Sequence, residues 1–341
     1  MAFRFFRRKR IAPGVSLNLS KRGASLSFGP RGAKATIGTR GARGTLGIPG
    51  TGLRYTKQVT SRGAKGDTQE EQATRPGSHL SLGFLRRLFT PKPERAFVDG
   101  VKALMEKNPE EAEQQLKQCP ELTDAAFLMG MTALQRGATE EGIQQLTRVY
   151  RERERLGDYF TKYGVSPSFP LGITEDISTF VEPDDRGVLL VLLLAFQDAG
   201  HREDAMKCAQ TLHKMAHDDL AVRLATAEFL AQTPNPSQQT WQDIVKLTES
   251  LDNESEVHAA LLYCRARALR ELGLLEAAKD TLTTVLRRTK DRPDELLRKA
   301  RYLRAQVYEG LGNKSKARKE FERIYAEASD FEDVAQRLGL R

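Results

Sequence analysis

Glycine recurs at an interval of nine residues through the first 57 residues of this chain, and this repeat limits the folds that the segment can adopt. One column of the repeat contains Gly14, Gly23, Gly32, Gly41 and Gly50, and a second contains Gly29, Gly38 and Gly47. Between the columns, apolar and polar residues alternate, as they do in a β-strand that buries one face. Glycine turns between short alternating strands predict a small β domain over residues 1–57.

Two topologies satisfy this repeat. An antiparallel meander places Phe28 opposite Ala33 and Ile37 opposite Ala42, so that apolar residues meet across neighbouring strands. A nonapeptide β-solenoid instead stacks the strands in parallel, one repeat above the next. The meander is favoured because four-residue glycine turns close hairpins directly. The solenoid stays open as the alternative.

The positive charge of the chain is concentrated in the same region. Residues 1–66 contain fifteen of the 54 Lys and Arg residues and none of the 45 Asp and Glu residues. The rest of the chain therefore carries 39 cations against 45 acidic residues, a net charge of −6. A block of one sign attracts partners of the other sign, which here means nucleic acid, an anionic membrane or an acidic protein.

The candidate anion-binding residues are cations of this block that turn geometry does not require. They are Arg4, Arg7, Arg8, Lys9, Arg10, Arg22, Arg31, Arg40 and Arg43. In a β-solenoid Arg22, Arg31 and Arg40 would form one row with neighbours about 5 Å apart, whereas a meander places Arg31 at the opposite end from the other two. The alternative is that these charges protect exposed sheet edges.

A set of residues in the same segment carries a resemblance to a known family. The segment resembles the bacterial family called domain of unknown function 4236 in its F-R-F opening, its N-x-S and S-x-S motifs and its closing G-x-P-G-T-G. The matching residues are Phe3, Arg4, Phe5, Pro13, Gly14, Asn18, Ser20, Gly23, Ser25, Ser27, Gly29, Gly32, Gly47, Pro49, Gly50, Thr51, Gly52 and Tyr55. The resemblance implies a fold module and a bacterial origin. It implies no function, because the family has no established activity.

Residues 58–93 are polar and glycine-rich at first, which predicts a flexible linker. Within it, residues 79–89 form a short amphipathic segment with two arginines. This segment is expected to dock on one of the flanking domains, and an interfacial membrane helix is the alternative.

From residue 94 to residue 341 the apolar period changes to that of helices. Six positions recur in four units with the same spacing, and the clearest unit is Ala305, Tyr308, Gly312, Ala317, Phe321 and Ile324. Small residues where two helices cross and a glycine at the turn predict stacked helix pairs. Residues 218–251 fit a degenerate pair, Val188–Phe196 fits a buried helix, and the prolines of residues 150–185 predict a loop. These units resemble tetratricopeptide repeats, which implies binding of peptides or proteins along one face.

Polar positions on the first helices of the pairs are where such a partner would bind. Arg265, Arg267, Arg301 and Arg304 are the candidate peptide-binding residues, because four cations on neighbouring helices suit an acidic peptide. A solvated face without a ligand is the alternative.

Motifs for catalysis, nucleotides or metals are missing from the sequence. No P-loop, HExxH or GxSxG occurs, and His213 and His217 have a metal-ligand spacing without a third ligand nearby. The three scattered cysteines predict buried thiols rather than disulfides and a reducing cytoplasm. No catalytic residue, cofactor or metal is expected.

The sequence therefore predicts an α+β multidomain chain, with a small antiparallel β-meander followed by a tetratricopeptide-like α-helical solenoid. The expected function is a non-enzymatic scaffold whose solenoid binds a protein or peptide and whose basic domain docks on an anionic surface. The expected location is the cytoplasm, including the inner face of the membrane, and an intramolecular contact between the two oppositely charged domains is a further expectation. The alternative function is nucleic-acid binding by the basic domain.

Overall fold

The computed structural model of the protein describes residues 90–106 and 108–340 with their side chains and, before residue 60, the backbone of six strands. Residues 60–89 of the predicted linker, with its segment 79–89, lie outside the described residues, as do all side chains of residues 1–89. The domain boundaries at residues 57 and 93 therefore stay predictions. Contacts divide the chain into two units, residues 1–170 with 180–188 and residues 171–179 with 189–341.

The six strands follow the nine-residue repeat. They are β1 Phe6–Ala12, β2 Val15–Ser20, β3 Gly23–Phe28, β4 Ala33–Gly38, β5 Gly41–Gly47 and β6 Arg54–Val59. Their backbones pair antiparallel in chain order, with Ile37 opposite Ala42 and Phe28 opposite Ala35. The expected pairing of Phe28 with Ala33 is wrong by two residues, a shift that keeps each side chain on the same face. The meander as a folded domain, with its apolar face and its arginines, stays a prediction.

The described remainder of the chain is mostly helical. In the first unit the helices are α1 Lys92–Met105, α2 Pro109–Leu116, α3 Thr123–Gln135, α4 Thr139–Arg151 and α5 Asp158–Lys162, with a short 3₁₀ turn at Arg153–Arg155. Helix α1 packs on α2, and α3 packs on α4. Helix α6, Asp185–Asp198, passes from the first unit into the second and contains the predicted buried apolar run.

The second unit continues as helix pairs. Its helices are α7 Arg202–Met215, α8 Leu220–Ala231, α9 Gln238–Leu247, α10 Glu256–Glu271, α11 Leu275–Leu286, α12 Asp294–Gly310, α13 Lys314–Glu327 and α14 Val334–Arg337. The pair α8–α9 is the degenerate unit expected at residues 218–251, and α9 includes Trp241. Tetratricopeptide-like helix pairs are thus confirmed. None of the helices in the described ranges combines the length and the apolar character needed to cross a bilayer.

The loop expected at residues 150–185 is wrong in part. The segment contains the 3₁₀ turn, α5 and a two-stranded hairpin formed by β7 Phe169–Gly172 and β8 Ser178–Val181. Apolar residues around the hairpin, Phe169, Ile173, Ile177 and Val181, are buried. Burial of these side chains explains why the segment is ordered despite its prolines.

Small residues lie where helices α3 and α4 cross, as the repeat pattern predicts. A Cβ atom at Gly130 would lie 2.7 Å from Cγ of Leu146, and one at Gly142 would lie 2.5 Å from Cδ2 of Leu134. The close approach of the two helices therefore depends on these two glycines. The predicted turn glycines Gly137, Gly200, Gly273 and Gly312 all have positive φ angles.

Replacing Gly142 by valine is expected to lower the free energy of unfolding by about 2 kcal/mol, because the new side chain overpacks the α3–α4 contact. Its Cβ would also approach the carbonyl oxygen of Gly130 at 3.2 Å, and backbone cannot move aside as a side chain can. Gln144→Val on the exposed side of the same helix is the matched control, with an expected cost of about 0.5 kcal/mol. Urea denaturation measures both, and equal losses would contradict the packing role.

Candidate protein-interaction face

The first helices of three successive pairs pack side by side in the second unit. Helix α8 contacts α10, and α10 contacts α12, while α9, α11 and α13 are the second helices of the pairs. Hydrogen bonds join neighbours along the row: Cys264 Sγ donates to Glu228 Oε1 at 3.2 Å, and Arg270 donates to the Gln306 side chain. We call this row the first-helix face and define it by Glu228, Tyr263, Arg267, Arg270, Lys299 and Gln306.

Arg267 is the predicted peptide-binding residue that belongs to this face. Its guanidinium lies 5.7 Å from the centre of the Trp241 ring, and Nη2 donates to the carbonyl oxygen of Ala231 at 3.4 Å. The aromatic ring and the helix end thus orient a cation that remains partly exposed.

Arg265, although two residues away, serves a different contact. Its Nη1 donates to the carbonyl oxygens of Val245 at 2.7 Å and Thr248 at 3.2 Å. These are carbonyls at the C-terminal end of α9, where a cation is favoured by the helix dipole. Arg265 therefore joins α10 to α9.

Arg301 and Arg304 bind acidic residues of the following helix. Arg301 Nη1 lies 2.8 Å from Glu327 Oε2, and Arg304 Nη2 lies 2.5 Å from Glu320 Oε1. Both arginines connect α12 to α13, and Arg301 is buried. The structure thus does not gather the four predicted arginines into one cleft, and their role in peptide binding stays a prediction.

Lys299 is a residue of the face that the sequence pattern missed. Its ammonium group lies 2.8 Å from Glu175 Oε2 and 3.4 Å from Asp176 Oδ2. Burial lowers the pKa of Lys299, but the bonds to the two carboxylates outweigh it and raise the pKa overall. Its partners precede it by more than 120 residues in a segment expected to be a loop, so no local signal marks the pair.

Tyr263 lies on α10, four residues before Arg267 on the same helix. Burial raises the pKa of its hydroxyl, while the positive charges of Arg267 and Lys299 act in the opposite direction. The two cations are thus close enough to influence the same phenol. The face offers Arg267 and a half-buried tyrosine on α10 and a second cation on α12, which suits carboxylate side chains better than a neutral apolar ligand.

The three cysteines of the chain all lie in the described part, where burial controls their thiol groups. Burial raises the pKa of Cys119 to about 12 and that of Cys208 to about 11, which suppresses the reactive thiolate. All three cysteines are buried and none of them forms a disulfide. His217 Nε2 lies 3.1 Å from Asp218 Oδ2 on the surface, and the described residues contain no cluster of three side chains suited to a metal ion.

The side chains of the candidate anion-binding residues Arg4, Arg7, Arg8, Lys9, Arg10, Arg22, Arg31, Arg40 and Arg43 all lie outside the described part. Their grouping therefore stays a prediction.

Comparison with known proteins agrees with the two resemblances noted in the sequence. Residues 3–56 match the model of the family described as "Protein of unknown function (DUF4236)". No curated protein matches the chain in a sequence comparison.

Solved structures match the helical part. The N-terminal domain of the EccA1 ATPase from the ESX-1 secretion system of Mycobacterium tuberculosis is 15% identical, with a TM-score of 0.52, over 72% of this chain and 88% of that domain. A tetratricopeptide-repeat protein of Thermus thermophilus is 13% identical, with a TM-score of 0.39, over 64% of this chain and 97% of that protein. The quorum sensor NprR of B. thuringiensis is 12% identical, with a TM-score of 0.42, over 72% of this chain and 67% of that protein. At 15% identity, the likeness to the EccA1 domain concerns the fold alone. The other two structures have TM-scores below 0.5 and support no conclusion about this chain.

Proposed function

We propose that this protein is a non-catalytic interaction scaffold, in which the first-helix face binds an acidic peptide segment of a protein partner. The observation that carries the proposal is the row α8–α10–α12, which brings Arg267 and Lys299 close enough to Tyr263 for both charges to act on its hydroxyl. Because these cations are held on rigid helices, they lose little conformational freedom when they bind an acidic segment, which favours binding. The tetratricopeptide-like fold supports the same class of function.

The basic segment has a second role in this proposal. Residues 1–57 fold as an antiparallel meander and dock the scaffold on an anionic surface in the cytoplasm, at the inner face of the membrane. The antiparallel backbone pairing and the excess of thirteen cations in residues 1–57 support this half of the proposal. Nucleic-acid binding by the same cations is the alternative.

The peptide-binding half is tested by selecting binders from a random peptide library displayed on phage, with the full chain as the target. Selected peptides are expected to be acidic and to lose at least tenfold in affinity for the double variant Arg267→Met/Lys299→Met. Methionine retains most of the apolar stem of both side chains while removing the charge. The matched control Arg287→Met/Lys290→Met removes two exposed cations at the end of α11 and should bind as the wild type does. Selected peptides that are not acidic, or that bind all three proteins equally, would contradict the proposal.

The docking half is tested with the full chain and lipid vesicles. Vesicles with phosphatidylserine should bind the protein, neutral vesicles should not, and binding should weaken as salt is added. The triple variant Arg22→Ala/Arg31→Ala/Arg40→Ala is expected to weaken binding. Duplex DNA or RNA that binds more tightly than the vesicles, with a steep salt dependence, would favour the alternative instead.

A further inference from the structure

The hairpin between β7 and β8 ends in a turn with a fixed conformation. The backbone N–H of Ile173 donates to the carbonyl oxygen of Ile177 at 2.8 Å. The hydroxyl of Thr174 accepts from the backbone N–H groups of Asp176 at 3.3 Å and Ile177 at 3.0 Å. We call residues 173–177 the hairpin tip. Because its own hydrogen bonds hold the turn, the tip presents Glu175 and Asp176 in a defined arrangement.

The hairpin tip contacts the first-helix face within the second unit. Glu175 and Asp176 both bind Lys299, but the two carboxylates differ in their exposure to solvent. The Asp176 side chain is 12% exposed, whereas that of Glu175 is 84% exposed. Ile173 and Ile177, on either side of the two acidic residues, are buried. The tip is therefore held by two buried apolar side chains and by two carboxylates on one ammonium group.

The contact with the hairpin tip pairs the positive charge of Lys299 with two carboxylates. The bond to Lys299 lowers the pKa of Glu175, and Lys299 itself gains from both carboxylates. Lys299 is also one of the two cations that act on the Tyr263 hydroxyl. An acidic peptide that binds Lys299 would have to compete with the acidic side chains of the same chain that already pair with it.

We propose that the hairpin tip is an internal ligand of the first-helix face, which an acidic peptide of the partner must displace from Lys299. The partner's segment would then share the chemistry of the tip, with two adjacent carboxylates flanked by branched apolar residues. This inference rests on the function proposed above and names the partner's chemistry more closely.

The strength of the contact is suited to displacement. An ion pair with one largely exposed partner contributes little to stability, because water and salt screen it. A tethered ligand still competes well, since its effective concentration is on the order of millimolar. Removing the two carboxylates should therefore raise the affinity for an added acidic peptide several-fold.

The test uses the full chain and a fluorescent peptide with the sequence of residues 171–179, LGITEDIST. The peptide should bind the double variant Glu175→Gln/Asp176→Asn several-fold more tightly than the wild type. Adding Lys299→Met to that variant should abolish the gain. The matched control is Asp252→Asn/Glu254→Gln, which removes the same two charges from exposed positions before α10 and should bind as the wild type does.

Hydrogen exchange of the full chain reports on the tip independently of any peptide. The amide of Ile177 should exchange faster in Glu175→Gln/Asp176→Asn than in the control variant, because the tip leaves Lys299 more often. Unchanged exchange, or a peptide affinity that is equal in the wild type and the variant, would overturn the inference.

The same measurements separate this inference from the function on which it rests. Phage-selected acidic peptides that bind the wild type and Glu175→Gln/Asp176→Asn equally would refute the internal ligand while leaving the peptide-binding face in place. If the tip opens in the variant and neither the selected peptides nor LGITEDIST bind, the proposed function fails, and the inference fails with it.

Discussion

Replacing Phe321 by alanine is expected to lower the free energy of unfolding by about 4 kcal/mol, the usual cost of removing a buried aromatic side chain. Phe321 on α13 is 2% exposed and lies in the cluster that closes the C-terminal end of the repeat. Its ring meets the Tyr302 ring edge-on at 6.0 Å between centres. Val334 of α14 and Leu338, just after that helix, pack into the same cluster, so the cavity would loosen α14 as well.

Urea denaturation followed by circular dichroism measures this loss. Leu274→Ala is the control, because Leu274 is a large apolar residue that is mostly exposed, and its replacement should cost less than about 1 kcal/mol. Hydrogen exchange should also increase in α14 for Phe321→Ala and not for Leu274→Ala. Equal losses in the two variants would mean that the C-terminal cluster does not stabilise the repeat.

The position of Phe321 was predictable from the sequence alone. The spacing of Ala305, Gly312, Ala317 and Phe321 is determined by how two helices cross and turn, and these constraints act over about twenty residues. The structure places all four as expected, in α12, the turn and α13. A repeat carries this information in every copy, which makes local spacing a strong signal.

The orientation of Arg301 could also have been predicted. It precedes Tyr308 by seven residues, so both lie on one stripe of α12, and that stripe faces α13. A cation on an apolar stripe that faces a helix with Glu320 and Glu327 indicates an internal ion pair rather than a ligand site. The helical period thus separates Arg301 from cations such as Arg267 that lie beside neighbouring first helices.

Contacts between distant segments could not be predicted in this way. Glu175 binds Lys299 across 124 residues, and the segment around Glu175 has neither the helical period nor a repeat to place it. Its prolines indicated a loop, whereas burial of Ile173 and Ile177 orders it as a hairpin. The most specific part of the candidate site therefore depends on tertiary structure.

A second contact between distant segments joins Asp124 on α3 to the start of α5. Replacing Asp124 by alanine is expected to lower the free energy of unfolding by about 3 kcal/mol, because three backbone N–H groups would lose their buried acceptor. The Asp124 carboxylate on α3 accepts from the N–H groups of Gly157 at 2.6 Å and of Tyr159 and Phe160 at 2.8 Å each.

These donors lie at the start of α5, where the first N–H groups of a helix have no partner within the helix. Asp124 thus caps a helix that is separated from it by more than thirty residues. Burial raises the pKa of the Asp124 carboxyl, and the three hydrogen bonds oppose that shift by favouring the charged form. The carboxylate also suits the positive end of the α5 dipole. Asp124→Asn keeps one acceptor oxygen but adds an amide donor that faces other donors. Its free energy of unfolding should therefore lie between that of the wild type and that of Asp124→Ala.

Asp158→Asn is the matched control, since Asp158 is an exposed carboxylate in the first turn of the same helix. It loses only a favourable interaction with the helix dipole, which is worth about 0.5 kcal/mol. Thermal and urea denaturation should rank the stabilities as wild type, Asp158→Asn, Asp124→Asn and Asp124→Ala, from highest to lowest. The amides of Tyr159 and Phe160 should exchange fastest in Asp124→Ala, because α5 then frays from its uncapped end. If Asp124→Ala is as stable as Asp158→Asn and both amides stay protected, the side chain does not hold α5 in place.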